Sequence, residues 1–147
     1  TGLGKTYMSN CIANELIKKG KNVLYQTAPV LLETIIDNKF NKYKTTNKDN
    51  FYKDVLEADL LIIDDLGTEL PNSFTVSQLF ICLNERILRQ KSTIISTNLA
   101  LEDIKSIYSE RTFSRISSNY TILRITGDDI RIQKKLLNLG GTNDVTP

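Results

Sequence analysis

The sequence predicts an α/β protein whose mostly parallel sheet is flanked by helices. Segments with the apolar content of strands alternate with segments of helical periodicity along the whole chain, as they do in repeated β–α units. The run Leu60–Ile63 is continuously apolar, which is typical of a strand that is covered on both faces. Both observations point to a parallel sheet buried between helices.

The first elements follow from periodicity and from the residues that end them. Thr6–Lys19 carries apolar residues at helical spacing, and basic residues followed by Gly20 are typical of a helix C-terminus. Asn22–Ala28 is predicted to be a short strand, and Val30–Phe40, which follows a proline, is predicted to be a helix. The polar and basic residues 41–50 predict a loop.

The middle of the chain carries two apolar strands separated by a long helix. Phe51–Ala58 is predicted to be a short helix that leads into the strand Ala58–Asp65. A turn containing glycine and proline follows, and a helix is expected from Phe74 to about Gln90. Ser92–Asn98 is then predicted to be a second buried strand.

The last part of the chain continues the alternation. Leu99–Tyr108 and Glu110–Ser117 are predicted helices, Thr121–Thr126 is a predicted strand, and Asp128–Leu139 is a predicted final helix. The remaining residues have the composition of a turn.

Length and composition bound the possible functions. The 147 residues suffice for one domain, which we expect over residues 1–139, with a flexible tail over residues 140–147. The net charge of +2 permits an anionic partner without requiring one. The absence of histidine excludes a His-based metal site or triad within the chain, and Cys11 and Cys82 are too few for a zinc cluster. Both are expected to be buried thiols of a cytoplasmic protein, and no apolar run reaches the roughly 20 residues that span a membrane.

The chain begins with TGLGKT, which matches the second half of the phosphate-binding pattern G-x-x-x-x-G-K-[ST]. In such a loop, glycines such as Gly2 and Gly4 allow the backbone to approach phosphate groups. Lys5 would neutralise phosphate charge, and the Thr6 hydroxyl would bind Mg²⁺. The first glycine of the pattern would lie two positions before Thr1. We therefore expect that the natural chain continues upstream and that the first strand of the sheet is missing from this fragment.

The segment LLIIDDLG is an apolar strand that ends in two carboxylates, which is the Walker B arrangement of nucleoside triphosphatases. The strand would bring Asp64 to the edge of the sheet where the phosphate loop holds Mg²⁺. Asp65 would then orient and polarise the attacking water as a general base. The alternative is a strand that ends in an ordinary Asx-turn.

The strand STIISTN ends in a polar tip beside the predicted Walker B strand. An amide at this position can hydrogen-bond the attacking water and respond to the γ-phosphate, which makes Asn98 a candidate catalytic residue. The alternative is that Asn98 caps the helix that follows, and the two roles are compatible.

Three arginines are candidates for stabilising phosphoryl charge. Arg111 and Arg115 are four residues apart and therefore share one helical face. In ring or filament ATPases such an arginine arrives from a neighbouring subunit. Arg131, near the start of the last predicted helix, could fold over the nucleotide of its own chain. The alternatives are a surface ion pair with Glu110 and a solvated basic helix.

The order of these motifs resembles a known family. GKT, LLIIDDLG, STN, ERTFSRI and TGDDIRIQKK occur in the order found in the AAA+ ATPase domain of bacterial replicative helicase loaders of the DnaC/DnaI type and the related IstB transposition ATPases. The resemblance covers nearly the whole chain and implies a P-loop NTPase fold of the AAA+ ASCE type. It implies that Lys5 and Thr6 belong to Walker A and bind ATP and Mg²⁺. Asp64 and Asp65 would form Walker B, with Asp65 where many members carry glutamate.

The resemblance also implies roles for the later motifs. Asn98 would be sensor 1, Arg115 the arginine finger, with Arg111 as its rival, and Arg131 sensor 2. From the resemblance we also expect weak ATP hydrolysis that is stimulated by DNA or a partner. The resemblance further implies self-association through the arginine finger and a DnaB-type replicative DNA helicase as partner.

Loaders of this type also engage single-stranded DNA through a segment between Walker B and the strand that precedes it, which here is Asn22–Ala28. Here that segment interleaves lysines with aromatic residues, which suits phosphate contact combined with base stacking. The candidate DNA-binding residues are Lys39, Lys42, Tyr43 and Lys44. The alternative is a solvated basic loop whose aromatic residues pack into the core, as the helical face shared by Phe51 and Val55 suggests.

The leading hypothesis is therefore an ATPase domain that binds single-stranded DNA and helps to place a replicative helicase on it. An IstB-like transposition helper remains open, as does a nucleotide-gated interaction module with little hydrolysis. A small-molecule P-loop kinase is a further alternative, although such enzymes need neither an asparagine-tipped strand nor an arginine supplied by a neighbour.

Overall fold

A computed structural model of the chain describes residues 2–40, 49–130, 132 and 135. Helices and strands alternate through most of this range, as the sequence predicts. The helices are α1 (Lys5–Lys18), α2 (Ala28–Phe40), α3 (Asp49–Glu57), α4 (Ser73–Leu88) and α5 (Leu101–Asn119). The strands are β1 (Val23–Thr27), β2 (Leu60–Leu66) and β3 (Ser92–Thr97).

The three strands form a parallel sheet in the order β1-β2-β3. The central strand β2 is almost fully buried, with Leu61, Ile62 and Ile63 at 0% exposure. This confirms the expectation that its apolar run is covered on both faces. Because the strands are parallel, their carboxyl ends meet at one edge of the sheet, next to the start of α1.

Alternate residues of β2 serve two different apolar clusters. Leu61 and Ile63 belong to the large core formed with α2, α3, α4 and α5, whereas Leu60 and Ile62 pack with Ala13 of α1. This alternation follows from the twofold periodicity of a strand. The sheet therefore lies between α1 on one face and the other helices on the opposite face.

A buried arginine ties three elements of this core together. Arg86 of α4 is 0% exposed. Its guanidinium donates to the Val55 carbonyl at 2.5 Å, to the Ala58 carbonyl at 3.2 Å and to Thr93 Oγ1 at 2.9 Å. It also donates to the Ser92 carbonyl. The end of α3 and the start of β3 are thus held to α4 by one side chain.

For the last part of the chain, one prediction is confirmed and one is wrong. The two predicted helices after β3 both correspond to parts of α5, and the backbone leaves the helical conformation at Ser109 (φ 80°, ψ 156°), the residue between them. The segment Thr121–Thr126 is not a strand. Its composition suits a strand, but no described strand pairs with it, and Leu123 is 77% exposed. A strand needs a partner for its backbone hydrogen bonds, and composition alone does not supply one.

The two cysteines differ in burial. Cys82 is buried, as predicted, and burial raises the pKa of its thiol to about 11. Cys11 is exposed, so the prediction that it is buried is wrong. Helix α1 buries Ser9 and Ala13, which share a helical face that excludes Cys11. Within the described residues, no helix has both the length and the apolar content required to cross a bilayer.

Strand β3 lies at the edge of the described sheet, and its outer side borders a groove of about 660 Å³. The exposed apolar residues Met8 and Ile12 of α1 line this groove together with Ile122 and Leu123. The groove is mostly apolar, and Lys5, Ser96 and Thr97 are among its lining residues where it meets the start of α1.

Candidate nucleotide site

The loop before α1 has the backbone conformation that glycine favours. Gly2 has a φ of 71° and Gly4 a φ of 84°, both in the left-handed region. A Cβ atom at Gly2 would lie 1.9 Å from the Asp129 carboxylate, so a larger residue would have to displace that side chain as well as adopt a strained backbone. Gly4 is the N-cap of α1, offers no side-chain acceptor, and no acidic residue follows in the first turn. The first amides of α1 are therefore suited to binding an anion.

The carboxylate of Asp64 is the centre of the site. It is 2% exposed and accepts hydrogen bonds from three hydroxyl groups. Thr6 Oγ1 donates to Oδ2 at 2.9 Å, Tyr25 donates to the same oxygen, and Ser96 donates to Oδ1. Burial alone would raise the pKa of Asp64, but the hydrogen bonds from Ser96, Tyr25 and Thr6 outweigh it and lower the pKa. The carboxylate therefore stays charged at neutral pH.

Asp65 is set apart from Asp64 by an irregularity in β2. Between Ile63 and Leu66 the register against β3 shifts by one residue, since Ile63 pairs with Ile95 and Leu66 with Thr97. Asp65 has a φ of 55°, a left-handed conformation that aspartate tolerates better than most residues. A bulge of this kind re-aims the side chain at that position. The second carboxylate is consequently only partly buried, whereas the first is enclosed.

Lys5 and Asn98 are in direct contact. Lys5 Nζ donates to Asn98 Oδ1 at 2.6 Å. Asn98 does not cap α5, because the N-cap of that helix is Ala100, whose amide donates to Asp103 Oδ2 at 3.2 Å. The alternative interpretation of Asn98 as the helix cap is therefore wrong. Its amide is instead part of the polar edge that contains Lys5, Thr6 and Asp64.

The described residues contain no group of three or more His, Cys, Asp or Glu side chains arranged to hold a metal ion by themselves. The oxygen atoms of Thr6 and Asp64 are nevertheless the type of ligand that Mg²⁺ prefers. Since Mg²⁺ usually binds through one or two protein oxygens together with substrate phosphates and water, this pair fits such an ion.

Comparison with known proteins agrees with this geometry. The family model described as IstB-like ATP binding protein matches residues 1–138. This chain belongs to the IstB-like ATP-binding family. Among curated proteins, it is similar to the replicative helicase loader DnaC of Escherichia coli strain K12, with 26% identity over 115 residues. That match covers 78% of this chain and 46% of DnaC, so the chain spans less than half of that relative's length.

Solved structures show the same fold for the IstB-like chain. A crystal structure of the DnaC helicase loader matches with a TM-score of 0.72 and 27% identity, covering 85% of this chain and 73% of that chain. The replication initiator DnaA bound to AMPPCP and single-stranded DNA matches with a TM-score of 0.74 and 23% identity, covering 95% of this chain and 43% of that chain. The predicted AAA+ P-loop fold, an α/β arrangement with a parallel sheet, is thereby confirmed.

The two arginines of α5 differ in their surroundings. The Arg111 guanidinium lies 4.5 Å from the centre of the Phe80 ring on α4, a cation–π contact. Glu110, the expected partner of a surface ion pair, instead lies 3.1 Å from Lys105. Among the described residues, no hydrogen bond or ion pair involves the Arg115 guanidinium, which is exposed. Neither arginine joins the cluster around Asp64 in this chain.

Several predicted residues cannot be placed in the site of the IstB-like chain. Arg131, Lys42, Tyr43 and Lys44 lie outside the described residues. Lys39 belongs to α2, but its side chain is not described. Phe51, an aromatic residue of the same basic segment, packs against the core, as expected from the face it shares with the buried Val55.

Sequence reasoning missed two groups of residues. Tyr25 and Ser96 both hydrogen-bond the Asp64 carboxylate. Tyr25 lies outside the predicted motifs, and Ser96 lies within STN but has no assigned role there. The signal for Ser96 is a small polar residue directly after the apolar pair Ile94 and Ile95, near the carboxyl end of β3. The second group is Glu69 and Tyr108: the Tyr108 hydroxyl donates to Glu69, which also accepts from the Gly67 amide at 3.1 Å. This pair joins the loop after β2 to α5, one residue before the kink at Ser109.

Proposed function

We propose that this chain is the ATP-binding and ATP-hydrolysing AAA+ domain of a helicase loader. The observation that carries the proposal is the direct connection of four residues from three separate motifs. Lys5 contacts Asn98, and Thr6 contacts Asp64, so the phosphate loop, the end of β2 and the end of β3 form one polar edge. An Asx-turn at the end of a strand would require none of these contacts. Membership of an ATP-binding family supports the same conclusion.

The residues of the loop bind the nucleotide in this proposal. The backbone amides around Gly2 and Gly4 and at the start of α1 hold phosphate oxygens. The Lys5 ammonium turns from Asn98 toward the phosphate charge. Thr6 and Asp64 hold Mg²⁺, which when bound neutralises charge on the phosphate oxygens. The enclosed and charged Asp64 carboxylate is suited to a cation rather than to proton transfer.

Hydrolysis is assigned to the more open residues at the same edge. Asp65, which is partly buried and re-aimed by the bulge, orients the attacking water and accepts its proton. Asn98 donates a hydrogen bond to that water through its amide nitrogen. Arg115 acts in trans on the nucleotide of a neighbouring subunit, with Arg111 as the rival candidate. Arg131 acts in cis as the second sensor.

The proposed partners follow from similarity to DnaC and from the basic segment after β1. We propose that the protein binds a DnaB-type replicative helicase and single-stranded DNA, and that DNA or the helicase stimulates turnover. Residues 1–139 form the ATPase domain, and residues 140–147 form a tail. The lysines Lys39, Lys42 and Lys44 contact phosphates, and Tyr43 stacks on a base.

The nucleotide part is tested by ATP binding to the protein expressed from the full-length gene. A fluorescent ATP analogue is titrated in the presence of Mg²⁺ into the wild type, Lys5→Ala and Lys18→Ala. We expect Lys5→Ala to weaken binding by about tenfold or more, because a charge-assisted contact to phosphate is lost. Lys18 pairs with Glu15 on the exposed end of α1 and serves as a matched control. A wild type that does not bind Mg²⁺–ATP would rule the proposal out.

The DNA part is tested separately by the salt dependence of binding to an oligonucleotide. Replacement of Lys39, Lys42 and Lys44 by glutamine should lower the slope of log affinity against log salt by about 0.7 for each lost phosphate contact. Tyr43→Ala should weaken binding without changing that slope, because stacking involves no counterion release. An unchanged slope in the triple variant would assign these lysines to a solvated loop.

A further inference from the structure

The tyrosine at the centre of β1 reaches the site from a distance. Tyr25 is paired in register with Ile62, two residues before Asp64 on the neighbouring strand. Two residues of strand correspond to about 6.6 Å, so only a long side chain that lies along the sheet can connect the two. Tyr25 packs beside the cluster of Ala13, Leu60 and Ile62, on the α1 face of the sheet. This packing orients the ring, and the hydroxyl donates a hydrogen bond to Asp64 Oδ2.

The hydrogen bonds around Asp64 have defined directions. The Ser96 hydroxyl accepts from the Asp65 amide at 3.2 Å, which leaves its own hydrogen for Asp64 Oδ1. The other oxygen, Oδ2, accepts from Thr6 and Tyr25 together. Ser96 and Tyr25 therefore hold the two ends of the carboxylate, each from a strand that flanks β2. Thr6 differs from both, since it belongs to the loop that would bind the ligand.

We propose that Tyr25 is a positioning residue that orients the Asp64 carboxylate toward the divalent cation of the ATP site. This inference rests on the proposed function. When Thr6 turns its oxygen to the cation, Tyr25 is the remaining donor that fixes Oδ2. Partners that orient a metal ligand in this way commonly contribute ten- to a hundredfold to metal affinity. Tyr25 itself stays protonated, because burial and its bond to Asp64 raise its pKa to about 12.

The test compares the Mg²⁺ requirement of nucleotide binding in Tyr25→Phe and the wild type. A fluorescent ATP analogue is bound to the full-length protein at increasing Mg²⁺ concentrations and also in the presence of EDTA. We expect Tyr25→Phe to raise the half-saturating Mg²⁺ concentration by about tenfold while the affinity measured in EDTA stays the same. Tyr120→Phe is the matched control, because it removes a tyrosine hydroxyl that bonds Thr93, at the start of β3 and away from the site.

Every outcome of the Mg²⁺ titration either supports or overturns the inference about Tyr25. An unchanged Mg²⁺ requirement overturns the inference and leaves the proposed function intact, provided that Asp64→Asn loses Mg²⁺-dependent binding. An equal loss with and without Mg²⁺ also overturns it, since Tyr25 would then support the fold only. A wild type whose binding depends on neither Mg²⁺ nor Lys5 removes the proposed function and the inference together.

A second measurement, made on the wild type, tests the same inference if the Tyr25→Phe variant folds poorly. In wild-type protein with nucleotide bound, the ring-carbon NMR signal of Tyr25 should shift when Mg²⁺ is added, and that of Tyr120 should not. A Tyr25 signal that does not respond to Mg²⁺ contradicts the inference.

Discussion

The Lys5 ammonium lies 2.6 Å from Asn98 Oδ1, so two residues 93 positions apart in the sequence share one hydrogen bond. An ammonium group has donors only, and the atom that faces it must therefore be the amide oxygen. This fixes the orientation of the Asn98 side chain and leaves its NH₂ group directed elsewhere. The amide can thus contact Lys5 and still donate to a water molecule.

The first prediction concerns the separate roles of the Asn98 oxygen, which accepts from Lys5, and of its NH₂ group, which is free to donate to water. Asn98→Asp keeps an acceptor for Lys5 but removes the donor, whereas Asn98→Ala removes both. If the donor is needed in the transition state, both variants should lose about 100-fold or more in kcat, with ATP affinity changed by only a few fold. Steady-state ATPase assays combined with ATP titrations check this. Wild-type turnover in Asn98→Asp would show that Asn98 serves only to hold Lys5.

The second prediction concerns Asp65. Asparagine tolerates the left-handed backbone at this position, so Asp65→Asn should fold normally and bind ATP as the wild type does. Loss of the general base should lower kcat by about 10²- to 10⁴-fold. Single-turnover hydrolysis measures the effect, and urea unfolding serves as the control for stability. Unchanged turnover would favour a nucleotide-gated interaction module with little dependence on hydrolysis.

The third prediction separates Arg115 from Arg111. Arg115→Ala should keep ATP binding and lose about 10³-fold or more in kcat, and mixing it with Lys5→Ala should restore part of the activity if the arginine acts in trans. Arg111→Ala should chiefly lose its contact with Phe80, worth about 0.5–1 kcal/mol of unfolding free energy. Absence of rescue, together with a larger loss of kcat in Arg111→Ala, would reverse the two assignments.

The fourth prediction concerns stability rather than chemistry. Arg86→Met leaves buried carbonyl groups of Val55 and Ala58 without their donor, and we expect a loss of about 3–5 kcal/mol in unfolding free energy. Arg86→Lys should also destabilise, because an ammonium cannot reproduce the planar set of donors. Urea denaturation measures both changes.

Arg89, one turn away, provides the control for this prediction. It forms partly exposed ion pairs with Glu57 and Glu85, so Arg89→Met should cost less than about 1 kcal/mol. Equal losses at the two positions would contradict a special role for the buried guanidinium.

The contacts that the sequence predicted are those determined by strand order. The carboxyl ends of parallel strands lie at one edge of a sheet, which places Asp64 and Asn98 together. Thr6 joins them because α1 starts at the same edge. The bulge that re-aims Asp65 has no comparable signal, because it depends on the pairing of β2 with β3 rather than on residue type. The hydrogen bond from Tyr25 to Asp64 could not be predicted either. Alternation along β1 predicts which face of the sheet Tyr25 is on, but not the direction in which its ring points.

The wrong predictions have a shared physical cause. Thr121–Thr126 has strand composition but no described neighbour, and Cys11 has an apolar side chain but lies outside the face that α1 buries. In both cases a local pattern was satisfied and its tertiary partner was absent from the described structure. Local patterns predict what a segment can form, and packing decides whether it does so.

The outer edge of β3 in the described sheet also bears on behaviour in solution. Among the described residues no strand pairs with this edge, and exposed apolar side chains such as Ile12 and Leu123 border it, so it is a template onto which a further strand can add. Chaperones and proteases recognise such surfaces, and aggregation begins from them. We therefore expect a chain in which this edge is open to aggregate more readily than one in which a strand pairs with it, whether or not the nucleotide site is filled.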